Sequence, residues 1–167
     1  MTGKCCAFTG HRPMKLPWRY NESDVRCKAL QRVLAEHIAA LIEKGVTGFL
    51  SGMAEGADQY MARIVLELRK ENPSLKLHCI LPCVEQDLKW NASAQEQYQN
   101  ILQQADSIVY VSRAYHKGCM LERNRFMVDH AAILLAVYNG EVRGGTAATI
   151  RYAQKSGKDI IIADPVA

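Results

Sequence analysis

Four short stretches of this 167-residue chain gather the residue types that hold or transform an anion. Thr9-Gly10-His11-Arg12 ends the apolar, β-rich run Cys5–Phe8 with two side chains able to carry positive charge, and Pro13 stiffens the loop after them. Ser51-Gly-Met-Ala-Glu-Gly-Ala-Asp58 joins a second apolar run to a helical pattern. Its glycines, Gly52 and Gly56, let backbone N–H groups approach a phosphate, and the helix N-terminus adds partial positive charge. A tight strand-to-helix turn with Asp58 as an ordinary first-turn acid would read the same way. Gly144-Gly145-Thr146 repeats the design, with a hydroxyl that can donate to a phosphate oxygen or cap the helix. Arg123-Asn124-Arg125 reads as the opening of a helix, where cations oppose the macrodipole unless an anion compensates. A solvated pair bonded to Glu122 and Asp129 is the alternative there.

Around these stretches, Trp18 and Tyr20 sit in a Pro-interrupted loop and either stack on a base or pin the loop to the domain. Glu55 and Asp58 are the acids within a glycine-rich strand-end loop, so any general acid-base role falls to them. The chain carries no G-x-G-x-x-G, no G-x-x-x-x-G-K-[ST], no H-E-x-x-H and no nucleophile elbow. Dinucleotide binding, P-loop hydrolysis, zinc proteolysis and Ser-His-Asp chemistry are therefore poor fits.

The elements that must position these residues are set by periodicity. Cys5–Phe8, Val46–Leu50, Leu77–Leu81, Ser107–Val111, Ile133–Val137 and Asp159–Ile162 read as strands. Between them, Glu22–Lys44 and Ala57–Glu71 read as amphipathic crossover helices, and Ser93–Ala105, Glu122–His130 and Gly145–Lys155 as three more. Continuous apolar strands alternating with helices predict an α/β fold, a mostly parallel sheet of about six strands covered on both faces. In such sheets ligands bind beyond the carboxyl ends of the strands, which is where the four stretches lie.

Composition sets the remaining bounds: 49% hydrophobic and 23% charged residues suit one domain spanning 1–167. The 21 basic residues interleave with 17 acidic ones for a net charge of +4, which favours an anionic pocket ligand and argues against nucleic acid. The six cysteines fall mostly in apolar runs without paired metal spacing, as buried thiols of a reducing cytoplasm would; no metal and no cofactor is expected. The start has no secretory pattern and no apolar stretch approaches the roughly 20 residues of a membrane span, so a cytoplasmic protein with no membrane partner is expected. Apolar helix faces leave room for a homo-oligomer.

Taken together, Phe8-Thr9-Gly10-His11-Arg12-Pro13, Ser51–Asp58, Arg123-Asn124 with Met127-Val128-Asp129, and Tyr138 with Gly144-Gly145-Thr146 resemble the YpsA-like family of bacterial proteins. That family belongs to the SLOG superfamily of Rossmann-like domains, with the Lonely Guy phosphoribohydrolases and the DNA-processing protein DprA. The resemblance implies a three-layer α/β/α, Rossmann-like domain with a pocket for a nucleotide or nucleotide derivative. By that resemblance the pocket is lined by Thr9, Gly10, His11, Arg12, Ser51, Gly52, Gly56, Asp58, Arg123, Asn124, Gly144, Gly145 and Thr146. The phosphoribohydrolases resemble one another in P-G-G-x-G-T-x-x-E, whose Glu acts at the ribose and glycosidic bond. Counting from Gly144, Ala147 stands here for the second-half glycine and Arg151 for the Glu, which argues against hydrolysis. The expectation is a nucleotide-binding sensor or regulatory module without robust catalysis, Arg12 facing a phosphate or base and Trp18 open to base stacking. Two alternatives stand beside it: an N-glycosidase using Asp58 or Glu55, and a DprA-like nucleic-acid binder.

Overall fold

The computed structural model describes residue 1 and residues 3–166; residues 2 and 167, at the two ends of the expected 1–167 domain, lie outside the description. Strands and helices alternate as β1 (Lys4–Gly10), α1 (Val25–Glu43), β2 (Val46–Ser51), α2 (Ala57–Arg69), β3 (Lys76–Leu81), α3 (Ala92–Gln104), β4 (Ser107–Tyr110), α4 (Cys119–Asp129), β5 (Ile133–Val137), α5 (Gly145–Lys155) and β6 (Asp159–Ala163), with one 3-10 turn at Pro13–Lys15. Every strand pairing is parallel, in the order β4-β3-β2-β1-β5-β6.

Side-chain alternation along β1 splits the core into two layers. Cys6 and Phe8 face α1, α2 and α3, packing with Phe49, Leu77 and Leu135 against Leu34, Met61 and Tyr98. Cys5 and Ala7 face α4 and α5, packing with Leu50, Ile80 and Leu134 against Met127, Val128 and Ile150. Phe8 and Phe49 stack at 5.7 Å between ring centroids, and burying a side chain of that size contributes about 2–3 kcal/mol. Strands buried on both faces must be apolar at every position, hence the unbroken runs in the sequence. All six cysteines are buried and unbridged.

Most element bounds fall within two residues of those read from the sequence, and two helix starts differ. Helix α1 begins at Val25, three residues beyond the expected start, because the Asp24 carboxylate caps it by accepting the N–H of Arg26. Helix α4 begins at Cys119, not at Glu122, because Gly118 takes a left-handed φ of 92° that admits the chain into the helix. Arg123 is therefore one turn inside α4 and not at its start.

The chain builds the sheet outward from β1 to β4, then crosses through α4 to lay β5 and β6 on the other side of β1. Strand order reverses between β1 and β5, so the helices leaving these two strands part on opposite faces and open a crevice above them. Among the described residues no helix is long and apolar enough to cross a membrane.

Candidate functional site

The crevice above β1 and β5 has a volume of about 560 Å³. Gly10 ends β1, and a Cβ there would overlap Ala57 and press on Val137, so the residue must be glycine for the start of α2 to dock between the two strands. The next residue continues the ladder: His11 N–H donates to Val137 O and His11 O accepts from Ala57 N–H, each at 3.2 Å. The His11 ring is 3% exposed, and its Nε2 accepts the backbone N–H of Asn139 at 3.2 Å. Burial lowers its pKa below the ordinary imidazole value. His11 is thus a neutral acceptor bracing the loop after β5, and the charge read into it from the sequence is absent at neutral pH.

Arg12 is exposed and lines the crevice, with its guanidinium 3.8 Å from Met120 Sδ. Pro13 begins the 3-10 turn, in which Lys15 N–H donates to Arg12 O at 3.0 Å and brings a second cation to the same wall. Lys15 Nζ reaches Glu141 at 2.9 Å, both side chains about two-fifths exposed, a pair that solvent leaves easy to exchange. Gly145 and Thr146 also line the crevice, at the first turn of α5, where no side chain caps the helix and the Lys15 ammonium stands beside Gly144.

Two of the crevice's lining residues, Arg123 and Asp58, are buried charged side chains. Arg123 is 3% exposed; its Nη1 donates to Gly52 O and its Nε to Asn124 Oδ1 at 2.7 Å. Gln86 Nε2 donates to the same Gly52 carbonyl at 3.1 Å and to Tyr98 Oη at 3.2 Å. A Cβ at Gly52 would overlap the guanidinium, so this glycine makes room for an arginine and not for a phosphate. Asp58, 6% exposed, accepts the N–H of Ala54 on Oδ2 at 3.3 Å, while its buried Oδ1 has no partner. Burial pushes the Asp58 carboxyl up to about 6, opposed by Arg123, by the Ala54 N–H and by Arg12. Burial likewise lowers the Arg123 pKa, with Asp58 as the leading opposing influence. Glu55, half-buried on the crevice wall, is also raised by burial, against the pull of Arg12.

Of the residues singled out in the sequence, Thr9, Gly10, His11, Arg12, Asp58, Arg123, Asn124, Gly145 and Thr146 meet on this crevice, with Glu55 beside them. Ser51, Gly52, Gly56 and Gly144 are not among its lining residues, although exposed Gly144 adjoins the Lys15 ammonium. Ser51 Oγ donates to Asp58 O at 3.0 Å and accepts Met53 N–H at 3.2 Å, bracing the turn. Gly56 sits at φ 93° with the His11 carbonyl where a Cβ would stand, a position closed to any side chain. Trp18 does not reach a ligand: it is 4% exposed, packed in the layer beneath α1 and α2, and donates from Nε1 to Tyr60 Oη at 3.1 Å. It pins the loop, and Tyr20, 61% exposed, is the aromatic on the crevice. Lys15, Met14 and Met120 also line it without having been singled out. Lys15 was within reach of sequence reasoning, because a Pro-led turn carries the chain three residues on and back to the same side. Arg151, standing where the hydrolases carry Glu, donates to Val142 O at 3.1 Å and is exposed outside the crevice lining.

Among known proteins, the model of the YspA SLOG family matches residues 6–162 of this chain. A UPF0398 protein of Bacillus pumilus is 33% identical over 153 residues, covering 90% of this chain and 82% of that relative. Among solved structures, DNA processing protein A of Streptococcus pneumoniae superposes with a TM-score of 0.61 at 16% identity, over 95% of this chain and 50% of that one. The Helicobacter pylori DNA processing protein A, whose structure describes a single-stranded DNA binding mode, gives a TM-score of 0.62 at 18% identity, over 98% of this chain and 69% of that one. At these identities the likeness establishes the shared fold.

Proposed function

The chain belongs to the YspA SLOG family, and on that premise we propose that its crevice binds a nucleotide or nucleotide-derived ligand, as a sensor or regulatory module. The observation that carries this reading is a convergence at the strand-order reversal: two exposed cations, Arg12 and Lys15, and the uncapped first turn of α5 line one open crevice, with the Lys15 ammonium beside Gly144 at the helix start. Phosphate oxygens suit that lining, since backbone N–H groups, the helix dipole and side-chain charge act together there. Exposed Tyr20 at the rim offers a face for a base. The exposed Arg151, in place of the hydrolases' acid, supports binding over turnover.

Calorimetry across nucleoside mono-, di- and triphosphates and signalling dinucleotides tests this reading. A ligand is expected whose affinity falls about tenfold in Arg12→Ala, the cost of one charge-assisted bond, with thermal unfolding unchanged. Absence of binding across the panel overturns it. The likeness to the Helicobacter pylori protein weakens the charge argument against nucleic acid, so a single-stranded deoxyoligonucleotide belongs in the same panel.

Asp58 favours a second reading. A carboxyl pushed up to about 6 holds its proton close to neutral pH and suits a general acid in N-glycosidic cleavage. Free base released from nucleoside monophosphates, and lost in Asp58→Asn, would favour this reading over a pure binder.

A further inference from the structure

Oδ1 of Asp58 is the one buried side-chain nitrogen or oxygen without a hydrogen-bond partner among the described residues. Such an atom costs about 1–3 kcal/mol of folding stability, which calls for a reason. Arg123, whose charge acts on Asp58, makes no hydrogen bond to Oδ1; it bonds to Gly52 O, Gln86 Oε1 and Asn124 Oδ1 and, from Nη2, weakly to Met120 Sδ at 3.8 Å. Ser51 Oγ donates to the main-chain carbonyl of Asp58 and not to its carboxylate. None of these donors reaches Oδ1, while Asp58 itself stands in the crevice wall with Oδ2 already held by Ala54. Oδ1 is left as an acceptor waiting for a donor from the crevice side.

The chemistry of that donor is restricted. A phosphate brings only acceptors and negative charge, and would be repelled by the carboxylate, so the phosphate belongs against the cations Arg12 and Lys15 and the first turn of α5. A hydroxyl satisfies Oδ1 without adding charge. Resting on the reading that the crevice takes a nucleotide-type phosphate, we propose that Asp58 receives a sugar hydroxyl of the ligand, which makes the ligand a phosphorylated ribosyl compound with its 2′ or 3′ hydroxyl free. Arg12, whose charge acts on Asp58, is an exposed side chain whose hydrogen bond among the described residues is the weak one to Met120 Sδ. An internal nucleotide of single-stranded DNA has neither hydroxyl free, so the same atom selects against a DNA strand.

Calorimetry with the full chain decides this, using ribose 5-phosphate and the four ribonucleoside 5′-monophosphates as probes against their 2′-deoxy, 3′-deoxy and 2′,3′-dideoxy counterparts. The dideoxy compounds should bind about tenfold or more weakly than the ribosyl ones, because a buried acceptor left unpaired rejects the analogue lacking its partner. Asp58→Ala should bring the ribosyl and dideoxy affinities to within about twofold of each other. Asp58→Val, close in volume and unable to pair with a hydroxyl, provides the same comparison should the alanine variant unfold. Equal affinity of ribosyl and dideoxy probes, or a preference that survives in both variants, overturns this inference and leaves phosphate binding in the crevice standing. No binding by any phosphate-bearing probe overturns both.

Discussion

Asp58 and Arg123 are both buried and feel each other's charge, and each makes its hydrogen bonds with other groups. The consequence is a pH-dependent stability with a definite sign. Because the Asp58 pKa rises from 3.8 to about 6 on folding, the folded chain holds this proton where the unfolded chain has lost it. The group's contribution is complete below about pH 4 and is lost as pH rises through about 6, a change of about 3 kcal/mol. Asp58→Asn lacks this titration, so urea unfolding of wild type minus variant should fall by about that amount between pH 4 and pH 7. A flat difference would show that Asp58 is not buried as described. The lowered pKa of His11 acts in the opposite direction, but it is common to both proteins and cancels. Arg123→Ala leaves the Asp58 carboxylate and the Gly52 carbonyl without their cation and should cost about 3 kcal/mol or more at pH 7. Arg12→Ala, removing an exposed side chain, should leave the unfolding midpoint in place.

At the scale of elements, the turns after β1 and β2 and the loop carrying Trp18 do the positioning, and each can be broken separately. Gly52→Ala forces a methyl group into the Arg123 guanidinium, which its two carbonyl partners and Asn124 hold in place. Overpacking of this kind costs about 2 kcal/mol, so the variant should melt about 4–8 °C lower. An unchanged melting temperature would mean that Arg123 is free to move aside. Trp18→Ala should destabilise by about 3–5 kcal/mol, being buried, whereas Tyr20→Ala should leave stability unchanged and weaken nucleotide binding. That contrast also marks what was legible in the sequence. Strands buried on both faces write themselves as unbroken apolar runs, and glycines at strand ends mark the helix starts, so the sheet and the crevice were readable. Which of two aromatics, two residues apart in one loop, turns inward is decided by the space beneath α1 and α2, and no local pattern encodes it. Arg123 reads as a surface cation because only a tertiary partner, the Gly52 carbonyl from a different turn, makes its burial tolerable. The start of α4 was misplaced because Gly118, whose positive φ admits the helix, precedes a stretch with weak apolar periodicity.

Across the whole molecule, topology and charge make different demands on a ligand. Strand-order reversal between β1 and β5 gives one crevice of about 560 Å³, on the scale of a mononucleotide and far short of a strand-long groove. The net charge of +4 comes from 21 basic residues interleaved along the sequence with 17 acidic ones, a mild excess. The fold shared with DNA processing protein A is compatible with either demand governing binding, and salt separates them. A guest held by Arg12 and Lys15 releases about two counterions, so the logarithm of its association constant should fall with the logarithm of salt at a slope of about −1 to −2. A strand neutralised by six or more side chains would give about −4 or steeper, with affinity lost over the same range. Fluorescence anisotropy of a labelled ribonucleotide and a labelled deoxyoligonucleotide between 50 and 400 mM salt, about the span over which such slopes resolve, reads both directly. A shallow slope for the nucleotide, reduced by about one in Arg12→Ala, is the expected result. A steep slope with tighter binding of the oligonucleotide would move the functional surface from the crevice to the outside of the domain.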